Sequence, residues 1–165
     1  MLQTRRWVRH LTASHLRLRR AFSVESLLAI EREIQSLERQ HSGEVRFAVE
    51  CALPLSWLLR SGTPRARAIE LFSKQRLWDT SERNGVRIYL LLADRSVEII
   101  ADRGLNAQVN ETGWKEICQS MEWAFRQGQF KDGAIRGVRA ISALLPRRGE
   151  SPYRRNEIDD KVLVL

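Results

Sequence analysis

The amino-acid sequence predicts an α/β fold, an α/β/α sandwich in which a mixed central sheet contains an antiparallel hairpin and helices flank both faces. Three observations carry this. Two β-prone runs, Val86 to Leu92 and Ser96 to Ala101, flank a connection of hairpin length. Glu44 to Cys51 alternates apolar and polar residues, the period of a strand. Several longer segments carry apolar residues at helical spacing and lie before, between and after these strands.

Taken in order, residues 5–20 are expected to form a basic helix with Trp7, Leu11 and Leu18 near one face. Residues 24–40 form a stronger amphipathic helix through Val24, Leu27, Leu28, Ile34 and Leu37, with Ser23 placed to cap it and Gly43 past its end. In the strand Glu44–Cys51, Val45, Phe47 and Val49 face one way and Glu44, Arg46, Ala48 and Glu50 the other, which predicts one covered and one solvated face. Leu53 to Gly62 reads as an apolar loop offering Trp57 to a partner. Thr63-Pro64 opens a helix to about Leu77 with Ile69 and Phe72 inward.

The first hairpin strand is apolar nearly throughout, as in a strand covered on both faces. Asn84-Gly85 and Gly104 punctuate the hairpin. A helix over 111–127 follows from the stripe Trp114, Ile117, Cys118, Met121, Ala124 and Phe125. Another over 130–145 follows from Ala134, Ile135, Val138, Ile141 and Leu145, and Gly133 and Gly137 on one face suggest close helix packing. Three parts result: a basic N-terminal arm or helix (1–22), the domain (23–146) and a polar C-terminal tail (147–165), whose Val162 to Leu165 are apolar enough to dock.

Composition bounds the function. The chain has 165 residues, 43% hydrophobic, and a formal net charge of +8. That charge is concentrated in Arg5, Arg6, Arg9, Arg17, Arg19 and Arg20, with no acid among the first twenty residues. The body is nearly neutral and shows no aromatic stacking platform, which argues against nucleic acid as a partner. The arm is instead expected to make weak contact with anionic membrane surfaces. Cys51 and Cys118 form no Cys-x-x-Cys pair and are expected to be unpaired thiols in a reducing compartment. No apolar run is long enough to cross a membrane, and the arginines interrupt any secretory signal, so a cytoplasmic location is expected.

No nucleophile–base pair, phosphate-cradling glycine loop or His-Glu-x-x-His motif is present, so no catalytic residue is assigned. Asp79, Asp94 and Asp102, with Glu44 as a fourth, lie at or near strand ends. If they meet at one rim they could hold Ca²⁺ or Mg²⁺ weakly. The alternative is ion pairing with Arg83, Arg95 and Arg103. No other cofactor is indicated.

From about Ile30 to Leu145 the chain resembles the TPM domain family, found in photosystem II repair proteins and in bacterial secreted or membrane-anchored proteins. The resemblance rests on Gly43-Glu44-Val45-Arg46-Phe47-Ala48-Val49, on Asn84-Gly85-Val86, on Asp102-Arg103-Gly104-Leu105 and on Phe125-Arg126-Gln127-Gly128-Gln129-Phe130. It implies an α/β/α sandwich, calcium binding through acidic residues in some members, and acid phosphatase activity in one plant member. The acid that the family places before Asn-Gly is Arg83 here, and the one after Gly-Leu is Asn106, while Asp94 is retained. A guanidinium in place of a carboxylate opposes a cation. The replaced acids, the Trp57 loop and the basic arm point to a non-catalytic interaction domain that acts with an unidentified protein partner in assembly or maintenance of a membrane-associated complex; the alternative, which the resemblance implies, is a divalent-metal-dependent phosphatase.

Overall fold

A computed structural model describes residues 2–80, 83–106, 109–147 and 160–165. Most of the polar tail therefore lies outside the described residues. The elements are α1 (Leu2–Leu11), α2 (His15–Ala21), α3 (Val24–Leu37), β1 (Glu44–Glu50), α4 (Leu55–Leu59), α5 (Pro64–Lys74), β2 (Gly85–Leu91), β3 (Ser96–Ala101), α6 (Arg103–Asn106), α7 (Glu111–Arg126), α8 (Phe130–Leu144) and β4 (Leu163–Val164).

The sheet has the order β3-β2-β1-β4. β1 and β2 run parallel with Phe47 opposite Ile88, and β2 and β3 form the expected antiparallel hairpin with Ile88 opposite Ile99. Because side chains alternate, Val45, Phe47 and Val49 share a face with Val86, Ile88, Leu90, Val97 and Ile99. That face packs on α2, α3, α7 and α8 through Leu18, Ile34, Met121 and Val138. The opposite face, including Ala48, Tyr89 and Leu91, is covered by α4 and α5 through Leu58, Ala68 and Leu71, with Trp7 of α1 packed against it. The result is a three-layer sandwich.

Local chemistry sets the helix boundaries. Ser23 Oγ accepts the Ser26 N–H at 3.1 Å, and Thr63 Oγ1 accepts the Ala66 N–H at 3.1 Å, with Pro64 in the first turn of α5. Gly128 takes a positive φ of 76° just past α7, a conformation that costs an L side chain energy. The chain then turns back so that α8 lies on α7. A Cβ on Gly133 would stand 2.8 Å from that of Ala124, so the two helices pack closely across this glycine, as its spacing from Gly137 suggests.

Several expectations are corrected. β1 is buried at every position rather than half-exposed, because its polar side is covered and its charges are paired inside the protein. The basic N-terminal segment is two helices, broken at Ser14, whose hydroxyl accepts the Arg17 N–H. The apolar loop contains the short helix α4, whose Trp57 is half-buried beneath the Arg67 guanidinium, 5.7 Å from its ring. Ile69 points outward, and Phe125 is only partly buried, sharing an aromatic cluster with Phe22 and Phe130. The end of the tail is part of the sheet: Leu163 and Val164 pair with Ala48 and Val49, and the Leu165 N–H donates to the Val49 carbonyl.

Candidate functional site

The four candidate metal-binding carboxylates divide between the two ends of the sheet. Glu44 starts β1, Asp79 lies in the connection leading into β2, and Asp102 follows β3, which runs the other way; all three belong to one end. Asp94 lies in the hairpin turn beyond the other end of β2. The seven residues of β2 separate the ends by about 20 Å. The expected convergence therefore does not occur. Among the described residues, no group of three or more His, Cys, Asp or Glu side chains is placed to hold a metal ion.

Each of the four also has another partner. Glu44 is buried and accepts from Arg46 Nη2 at 2.8 Å. Asp79 is half-exposed and lies 3.4 Å from Arg76 Nη2. Asp102 Oδ1 accepts the Arg103 N–H at 2.6 Å. Asp94 is held by the N-terminal helix. Arg6 Nε donates to both carboxylate oxygens at 3.1 and 3.0 Å, and Arg6 Nη2 lies 2.8 Å from Oδ2 while also donating to the Gly62 carbonyl.

His10, fully enclosed, completes this contact. The Leu53 N–H donates to its Nδ1 at 3.1 Å, so Nδ1 is an acceptor and the ring proton sits on Nε2, 3.0 Å from Asp94 Oδ1. Burial pushes the Asp94 carboxyl up, but hydrogen bonds from Arg6 and His10 outweigh it and hold the group below its ordinary range. Two basic side chains thus occupy the oxygens that a cation would need.

The polar side of β1 is a second feature, which the alternation pattern disguised as a solvated face. Glu50 receives Arg67 at both oxygens, Nη2 to Oε1 at 2.8 Å and Nε to Oε2 at 2.9 Å, and the Tyr89 hydroxyl donates to Oε2 at 2.6 Å. At the other end of the strand, Arg46 joins three acids: Glu38 after α3, Glu44 of its own strand and Asp160 before β4. Arg87 lies opposite Arg46 in the register and bonds to Gln75. Burial, and then the neighbouring Arg46, lower Arg87 to about 9. The one available signal was Arg87 itself, a charge inside an otherwise apolar strand that has to find a partner there. His10 gave no such signal, because its partners are far away in sequence.

The six N-terminal arginines separate into groups. Arg6 is bound to Asp94, and Arg9 lies 3.5 Å from the same carboxylate. Arg9, Arg17 and Arg20 line a cavity of about 490 Å³ with Arg95 of the hairpin turn, Arg126 of α7 and the single acid Glu122. Its apolar lining includes Leu90, Leu92, Phe125 and Phe130. Arg5 and Arg19 are exposed and lie outside it. Cys51 also lines this cavity, with its Sγ 3.2 Å from the Ser14 carbonyl; burial holds its thiol above the usual range, and pushes that of Cys118 up to about 12. Neither is an activated nucleophile.

The BA42 protein of the psychrophilic bacterium Bizionia argentinensis has a similar structure, with a TM-score of 0.71 and 24% identity over 87% of this chain and 94% of that one. The N-terminal domain of a protein from P. gingivalis is also similar, with a TM-score of 0.60 and 18% identity over 74% of this chain and 75% of that one. At these identities the likeness is one of fold. No curated protein matches the chain. The family model described as the TPM domain matches residues 19–144. The chain belongs to the TPM domain family.

Proposed function

We propose that this chain is a non-catalytic TPM interaction domain that acts from the cytoplasmic side in assembly or maintenance of a membrane-associated complex. The division of the candidate carboxylates between opposite ends of the sheet carries this reading, because a divalent cation needs several oxygens at one point. Arg6 and His10 on Asp94, and Arg46 on Glu44, strengthen it. A surface for the protein partner is available at the outer edge of β3, which pairs with no other strand among the described residues. There a groove of about 720 Å³ runs between α5 and α7, lined by Ile69, Ile100 and Trp114 among others, and α7 already takes the Val97 N–H of this edge through Glu122 Oε1, so a partner would seat in the groove through side-chain contact. Within the described residues, no helix is long and apolar enough to cross a membrane.

The test is hydrolysis of a phosphate monoester by the full chain, with Mg²⁺, with Ca²⁺ and with chelator. The reading expects no metal-dependent turnover. Turnover that chelation removes and either cation restores would replace it with the phosphatase reading.

A further inference from the structure

None of the four candidate carboxylates lines the arginine-rich cavity. Arg17, Arg20 and Arg95 line it without an ion-pair partner among the described residues, and Arg126 and Glu122 are 3.4 Å apart on its wall. Grouped positive charge over a low-dielectric floor focuses an attractive field on an anion. The guanidinium fork suits phosphate oxygens. Leu90, Leu92, Phe125 and Phe130 share the lining with these arginines, so the cavity suits an anion that carries hydrocarbon.

The surroundings point to where that anion comes from. Leu16, 67% exposed, sits one helical turn before Arg20 on α2, and Trp123, 59% exposed, one turn before Arg126 on α7. Leu11, 69% exposed, ends α1 beside the same helix junction. Exposed Leu and Trp next to arginine is the composition of a surface that rests in the interfacial layer of a bilayer.

We infer that this cavity seats the phosphate of an anionic glycerophospholipid headgroup, with Leu16 and Trp123 entering the interface beside it. The site deepens the proposed membrane-associated role and rests on it. Arg17 and Arg20 are the positions that define it, while Arg5 and Arg19 contribute only diffuse charge.

The experiment is cosedimentation of the full chain with vesicles of phosphatidylcholine, alone or doped with phosphatidic acid, at fixed ionic strength. Arg17→Gln/Arg20→Gln is compared with Arg5→Gln/Arg19→Gln, which removes the same charge. All four side chains are exposed, and melting curves verify that both variants fold. The inference expects binding that requires phosphatidic acid, and a loss at the cavity pair about tenfold or more greater than at the control pair. Leu16→Ser/Trp123→Ser should also weaken binding with the charges intact. Equal losses in the two arginine pairs would overturn the inference in favour of diffuse attraction. Calorimetry with soluble glycerol 3-phosphate separates the sources: affinity equal to that for the vesicles would make the cavity a site for a free phosphate ester and overturn the lipid assignment. None of these outcomes bears on whether a phosphate monoester is hydrolysed, so the two proposals fail separately.

Discussion

Replacing Asp94 by Asn should loosen the N-terminal helix from the domain. Asp94 receives Arg6 through Nε and Nη2 and His10 through Nε2. A hydrogen bond to a charged partner contributes about 1.5–3 kcal/mol. Arg6 keeps a quarter of its side chain in water, which moves its share to the lower end, whereas His10 is fully enclosed. Arg9, half-exposed at 3.5 Å, adds little. The amide retains one acceptor but loses the charge, so the expected loss is about 2–4 kcal/mol.

Urea unfolding measures this loss, and hydrogen exchange across α1 locates it. Amides of α1 should exchange faster while those of β1 and β2 change least. The carboxyl titrates below its ordinary value of 3.8 in the folded protein. Its stabilisation is therefore complete above that value and disappears as the pH falls through the lower folded value. A variant within about 0.5 kcal/mol of the parent, with α1 equally protected, would refute the reasoning, since that is the ordinary size of a neutral surface substitution.

Three further outcomes are expected. Arg67→Ala leaves the Glu50 carboxylate buried without its cation and should cost about 3–5 kcal/mol in urea unfolding, whereas Tyr89→Phe, which removes one of its donors, should cost about 1–3 kcal/mol. Burial raises Glu38 from 4.5 to about 7 against the attraction of Arg46, and burial lowers His41 from 6.5 to about 4. Glu38 makes stability fall as pH rises from 4.5 to 7, His41 makes it rise from 4 to 6.5, and the two oppose each other in the parent. Glu38→Gln should leave a net rise over the His41 window, read from unfolding at a series of pH values; a fall there would contradict the assignment. Gly85→Ala drives a Cβ into the Leu77 carbonyl at the start of β2, and should destabilise the fold by about 1–3 kcal/mol or more, read as a lower melting temperature.

The strands and long helices were legible because their apolar residues follow one period from end to end. Val45, Phe47 and Val49, or Trp114, Ile117 and Met121, need no distant information to be placed inside. The same rule misled at the other face of β1. Arg46 and Glu50 look solvated by alternation, yet Glu38 after α3, Asp160 before β4 and Arg67 on α5 come from other elements to pair them. Periodicity reports which residues share a face and is silent about what covers it. The candidate site failed for a related reason. Strand ends gather at two rims, and the antiparallel β3 returns Asp102 to the rim opposite Asp94. The hold of Arg6 and His10 on Asp94 spans more than eighty residues and has no local signature. Leu163 and Val164 show the opposite case, an apolar run at the end of a polar tail that forms an edge strand.

Calorimetric titration of Ca²⁺ into the full chain tests most directly whether these carboxylates form a cation site. With Asp94 held by Arg6 and His10 and the other three carboxylates at the far end of the sheet, the expected result is no saturable binding in the sensor range of about 10⁻⁷–10⁻⁵ M. Saturable binding at that affinity, lost in Asp94→Asn, would contradict it and show that α1 gives way to the cation.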